Sequence, residues 1–122
     1  MSTGIVVFAH GSRIASANDA VRTITADLKS TGAFEYVEAA FLELGHPDLA
    51  EAVARLVGRG ARRIVVIPYF LTLGTHLERD LPALVKGIAQ LYPKVEIAVT
   101  PPLDGHPALL QILLDRAAAA EK

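Results

Sequence analysis

Cysteine is absent from this chain of 122 residues, and its absence excludes disulfide bridges, thiolate metal sites, iron–sulfur clusters and thiol nucleophiles. Tryptophan is absent too, and no apolar run approaches the length of a membrane span. The N-terminus lacks a basic stretch followed by a long apolar one. Its run from Gly4 to Ala9 is too short for an export signal. An excess of either charge is also missing: 12 basic and 13 acidic residues leave a formal net charge of −1, with the basic residues spread along the chain. That excludes a broad nucleic-acid footprint. These absences describe a soluble domain, expected in the cytoplasm, with neither a membrane nor a nucleic acid as partner.

What is present is apolar. Hydrophobic residues make up 52% of the chain, and the mean hydropathy of +0.37 is high for so small a protein. The length suits one domain over residues 1–122. The surplus of apolar residues needs cover, either from helices on both faces of a sheet or from a second subunit, and a homodimer is expected.

Four β-branched or aromatic runs, Ile5–Phe8, Tyr36–Leu42, Arg63–Pro68 and Val95–Thr100, read as strands buried on both faces. Between them the apolar spacing predicts helices. The first starts near Ser16 or Asn18, aligns Val21, Ile24 and Leu28, and stops at Gly32. The second opens at His46-Pro47-Asp48 with proline in its first position. The third covers roughly 77 to 91, interrupted or kinked at Pro82, and the fourth opens at His106-Pro107. Alternating β and α elements with right-handed crossovers predict a doubly wound, flavodoxin-like α/β domain. Its four-stranded parallel sheet takes the order 2-1-3-4, with helices on both faces. "LGHPDL" at 44–49 and "DGHPAL" at 104–109 echo one another, as two similar solutions to one strand-to-helix turn.

In such sheets ligands bind beyond the carboxyl ends of the strands. Each of the four strand-to-helix loops holds one histidine, His10, His46, His76 or His106, and the same loops supply Glu43, Glu78, Asp80 and Asp104. Imidazole and carboxylate bind borderline divalent metals and move protons near neutral pH. Some of these residues have local explanations. His46 and His106 precede prolines at helix starts; Thr75 and Glu78 fit a capping box; Asp80 suits a cap for the main part of the third helix. His10 and His76 have no such explanation, and their strands flank the switch point of the proposed order. Glu43 ends the second strand, where a buried carboxylate without a partner is costly. Tyr69, Phe70, Leu71 and Leu73 carry apolar character past the third strand, as a loop would if it packed under something or met a large flat ligand. Arg13 and Arg79 flank the two central histidines and suit carboxylates or phosphates.

"FAHGSR", "FLELGHPDL", "IPYFLTLGTHLERDLP" and "PPLDGHP", in that order, resemble the class II chelatases, and most closely the short-form sirohydrochlorin cobaltochelatases. The resemblance runs from Ile5 to about Leu114. It implies ATP-independent insertion of a divalent metal into a tetrapyrrole, on the paths to cobalamin, sirohaem or related nickel cofactors, by a homodimer. The family's first-strand histidine falls on His10, its Gly-x-His histidine on His76 and the acidic residue of its Phe-Leu-Glu segment on Glu43. These three are the implied catalytic and metal-handling residues. The ring is expected against Tyr69, Phe70, Leu71, Leu73, Thr75 and a partner subunit, with its carboxylates on Arg13 and Arg79. No tightly bound cofactor is expected, because the metal, Co²⁺ first, or Fe²⁺ or Ni²⁺, is a substrate.

Rival readings keep less support. A phosphoryl-transfer or phosphate-binding enzyme would use His10 as nucleophile and His10–Arg13 as an anion cradle. A receiver-like signalling module needs an acidic cluster after the first strand and an Asp after the third, where His10 and Tyr69 stand. A non-catalytic carrier of metal or tetrapyrrole would hold its ligand without turnover.

Overall fold

A computed structural model of the chain describes residues 2–121. The four apolar runs form strands β1 (Thr3–Ala9), β2 (Tyr36–Phe41), β3 (Arg63–Pro68) and β4 (Glu96–Val99). They alternate with helices α1 (Ala15–Ser30), α2 (Leu49–Gly58), α3 (Gly74–Ala89) and α4 (Pro107–Ala120). All pairings are parallel and the order is β2-β1-β3-β4, as the sequence pattern predicts. The strand order reverses between β1 and β3.

β1 is covered on both sides, which is why its sequence is an unbroken apolar run. Ile5, Val7 and Ala9 pack with Val37 and Phe41 of β2 and with Val21 and Leu28 of α1. Val6 and Phe8 point the other way, into a cluster with Leu49, Val53 and Leu56 of α2 and Leu81, Val85 and Ile88 of α3.

α1 begins at Ala15, next to the expected Ser16, with Ile14 at its cap and no side-chain cap bond. Helix starts differ from the sequence expectation in two places. α2 is capped by Asp48, whose carboxylate accepts from the Glu51 amide at 2.9 Å. Pro47 therefore precedes the cap instead of opening the helix, and His46 caps nothing. α3 begins at Gly74, so Thr75, Glu78 and Asp80 lie inside it and form neither a capping box nor a later cap. Pro82 is carried within this one helix without dividing it.

Only at α4 does the histidine–proline start hold. His106 caps it through Nδ1, which accepts from the Ala108 amide at 3.0 Å, and Pro107 takes the first position. The two echoing segments thus build different turns. Gly105 turns the chain at φ +80°, whereas in the first segment Leu44 takes the positive φ and Gly45 makes room for Phe41, whose ring lies 2.7 Å from where a Cβ would sit.

Cover of the sheet is unequal. α2 and α3 close one face, and α1 closes the β1–β2 half of the other. α4 has no buried residue and leaves Val65, Ile67 and Ala98 only half-buried.

Candidate functional site

The loops after β1 and β2 are joined by main chain. Beyond the strands the ladder continues: the Leu42 amide donates to the Ala9 carbonyl at 2.9 Å and the Glu43 amide to the His10 carbonyl at 3.1 Å. Gly11 then turns at φ +94°, so close to the second loop that an added Cβ would stand 1.6 Å from the Glu43 carbonyl oxygen. Glycine is required there by space as well as by φ.

This frame presents two side chains together. His10 Nε2 lies 4.0 Å from Glu43 Oε1, with the side chains 57% and 58% exposed. A pair so open to water contributes little to stability and stays available to a ligand. Behind it, the Phe70 ring meets His10 edge-on at 6.3 Å between centroids and Phe8 at 6.1 Å, which carries the site down to the core.

Asn18 is the residue that sequence reasoning missed. Only 7% exposed, it accepts from the Ser12 amide at 2.9 Å and donates to the carbonyls of Ser12 at 2.9 Å and Leu44 at 2.8 Å. It ties the β1 loop to the β2 loop and holds Leu44 in its left-handed conformation, φ +55°. The signal was an amide on the buried stripe of α1, beside Val21 and Thr25, where a polar side chain demands partners. Asn18→Ala leaves these partners without it and is expected to cost about 2 to 3 kcal/mol, read as a lower urea midpoint at unchanged m-value.

The other candidates are distributed around this pair. His76 is exposed in the first turn of α3, and no hydrogen bond or ion pair among the described residues joins it to His10 or Glu43. Among the described residues no three His, Cys, Asp or Glu side chains gather closely enough to hold a metal ion. The apolar loop after β3 divides its labour: Phe70 and Leu73 pack on the core, while Tyr69 and Leu71 are 40% and 65% exposed. Thr75 is exposed on the first turn of α3. Arg13 is exposed, and Arg79 pairs with Asp80 at 3.2 Å. A cleft of about 300 Å³ opens between Thr72, Leu73, Gly74, Glu78, Pro102 and Asp104. His46 belongs to a surface network instead, 2.9 Å from Glu51, which also holds Arg55 at 3.0 Å.

Two main-chain amides of the first loop are closed to an anion. The Ser12 amide is taken by Asn18 Oδ1 and the Ile14 amide by Ser12 Oγ. What the rim does offer is an exposed imidazole beside a carboxylate, an exposed aromatic–aliphatic loop, and two arginines. That combination fits a divalent cation and a flat anionic ligand.

Comparison with known proteins agrees. The CbiX family model matches residues 4–120. The chain is 34% identical over 113 residues to a chloroplastic sirohydrochlorin ferrochelatase of Arabidopsis thaliana, covering 93% of this chain and 50% of that protein. It is 30% identical to a sirohydrochlorin cobaltochelatase of Methanopyrus kandleri, with 92% of each covered. A crystal structure of a putative cobalamin biosynthesis CbiX protein from Marinobacter aquaeolei superposes with a TM-score of 0.84 at 27% identity, over 97% of this chain and 96% of that one. The chain thus spans half the length of the plant relative and nearly all of the archaeal one.

Proposed function

Because the chain belongs to the CbiX family, we propose that it inserts a divalent metal into sirohydrochlorin or a closely related tetrapyrrole, without ATP, in cobalamin or sirohaem biosynthesis. The observation that carries this reading is the exposed His10–Glu43 pair at the carboxyl edge of β1 and β2, 4.0 Å apart. Cobalt is the first metal to test, followed by iron and nickel. All three are borderline cations that imidazole and carboxylate accept.

Insertion exchanges two pyrrole N–H protons for the cation. His10 coordinates the incoming ion through neutral imidazole and then accepts a proton as the ring nitrogens take over the metal. Glu43 offsets cationic charge beside it. His76, on the other side of the switch point, is the second metal-delivering ligand and accepts the other pyrrole proton. The ion is a substrate in transit, and the small number of converging ligands supports its release to the ring. Tyr69, Leu71 and Thr75 offer the ring a surface over the Phe70 and Leu73 base, and Arg13 and Arg79 meet its peripheral carboxylates. A macrocycle of this size overfills the cleft beside Leu73, and the remaining cover comes from the partner in a homodimer.

The test is spectroscopic. Sirohydrochlorin is mixed anaerobically with Co²⁺, Fe²⁺ or Ni²⁺, and the visible spectrum is followed with and without protein. Acceleration over the blank is expected with cobalt. Rates equal to the blank for all three ions overturn the enzyme reading; stoichiometric retention of metal or ring with no turnover would make the protein a carrier.

A further inference from the structure

Nothing steers the Glu43 carboxylate except the main chain beneath it. The side chain is 58% exposed, and its one partner among the described residues is His10, 4.0 Å away. Where the carboxylate stands is therefore decided by the backbone on either side of residue 43. On one side the Glu43 amide donates to the His10 carbonyl at 3.1 Å. On the other, Asn18 Nδ2 reaches across from α1 and donates to the Leu44 carbonyl at 2.8 Å.

Two local preferences are overruled at this point. The buried stripe of α1 calls for an apolar residue at position 18, yet it carries an amide that is 7% exposed. An asparagine side chain can make four hydrogen bonds. Asn18 makes three, all to the main chain of the two loops and none to its own helix. Leu44, next to Glu43, takes φ +55°, which a bulky side chain resists, and it does so 51% exposed, with little burial to compensate. Conformations of this kind persist only where the surrounding structure imposes them, and they collect at functional sites.

We propose that Asn18 is a positioning residue for metal handling: it holds Leu44 left-handed and so sets where the Glu43 carboxylate stands relative to His10. The proposal rests on the chelatase reading above and adds to it a group that touches neither metal nor ring. Asn18 acts on both loops at once. It accepts from the Ser12 amide and donates to the Ser12 carbonyl, each at 2.9 Å, two residues beyond His10. The spacing of the two metal-handling groups is thus governed from a helix that carries neither. A carboxylate freed from this hold samples more positions and meets the ion less often.

The test is a double-mutant cycle on cobalt with two readouts. One is the Co²⁺ concentration that gives half-maximal insertion. The other needs no tetrapyrrole: the Co²⁺ concentration that half-broadens the His10 ring signals in the proton NMR spectrum, assigned with His10→Ala. Asn18→Ala is expected to raise both about tenfold, as Glu43→Gln does. The Asn18→Ala/Glu43→Gln double variant is expected to be no worse than either alone. Effects that multiply to about a hundredfold overturn the proposal, since Asn18 then acts on something other than Glu43. Unchanged concentrations in Asn18→Ala overturn it too.

Leu44→Ile provides the second variant. It keeps every atom but moves the branch to Cβ, which burdens the left-handed conformation at an exposed position where folding is not at risk. A shift of about threefold in the same direction is expected, and this variant replaces Asn18→Ala in the cycle if that protein does not fold. A Leu44→Ile protein with no shift overturns the link through Leu44 and the proposal with it. A wild type that inserts no metal but yields the cycle on broadening overturns the chelatase reading and keeps the positioning. A wild type that neither inserts nor broadens overturns both.

Discussion

Replacing His10 with alanine lowers protein-dependent cobalt insertion to the uncatalysed rate, a loss of about 100-fold or more. The fold is not expected to suffer. His10 is exposed, its ring meets Phe70 only at an edge, and the loop is held by the His10 carbonyl, which alanine keeps. Its melting temperature should stay within about 3 °C of wild type. Glu43→Gln removes the charge and keeps the shape, and a smaller loss of about tenfold is expected. Initial rates against metal concentration separate the two roles. If Glu43 mainly steadies the approaching cation, its substitution raises the metal concentration needed for half-maximal rate, whereas loss of His10 removes the rate at any concentration. A His10→Ala protein that keeps more than half the wild-type rate would move the hand-off to another group, His76 first.

Gly11→Ala is expected to be the most damaging single methyl group that can be added near the site. The new Cβ would meet the Glu43 carbonyl oxygen at 1.6 Å, and the Cβ is fixed to its own main chain while the oxygen is backbone, so no flexible side chain can swing away. Relief requires parting the β1 and β2 loops and breaking the Glu43-to-His10 amide bond. The residue must also keep φ at +94°, a conformation that itself costs an L-residue about 1 to 2 kcal/mol. Together these predict a loss of roughly 3 to 5 kcal/mol, seen as a fall of about 10 to 20 °C in melting temperature. Gly32→Ala is the control. It shares a positive φ, +79°, but meets nothing within 4 Å, so it carries only the conformational part of the penalty.

The topology was legible because its causes are local. β1 is a continuous apolar run that only a doubly covered strand tolerates, and once the order is taken as 2-1-3-4 right-handed crossovers set which connecting helices share a face. The meeting of His10 and Glu43 was legible for a related reason. Ala9 pairs with Phe41, and each of these side chains lies one or two residues beyond that register. The helix caps were harder. Pro47 suggested a first helical position, but Asp48-Leu49-Ala50-Glu51 carries its own capping signature, and a carboxylate that reaches the Glu51 amide outcompetes the histidine before it. Thr75 and Glu78 matched the same pattern and failed because Gly74 starts α3 earlier, leaving their backbone already helical. The start of α4 was legible in His106-Pro107, but its lack of cover was not. Apolar spacing states that a helix wants cover without saying which molecule supplies it. Asn18 was half legible: its polarity on an apolar stripe was visible, while its partners, the Ser12 loop and Leu44, are brought to it only by the tertiary fold.

The position of the two central loops is written in amide-to-carbonyl bonds, Leu42 to Ala9 and Glu43 to His10, and in none of the side chains that would touch a metal. Scaffold and chemistry are therefore separable during evolution. Residues 10 and 43 can trade imidazole for carboxylate, or a harder donor for a softer one, while the strand ends stay in register. A preference among cobalt, iron and nickel can then drift by single substitutions in a frame that does not have to be rebuilt.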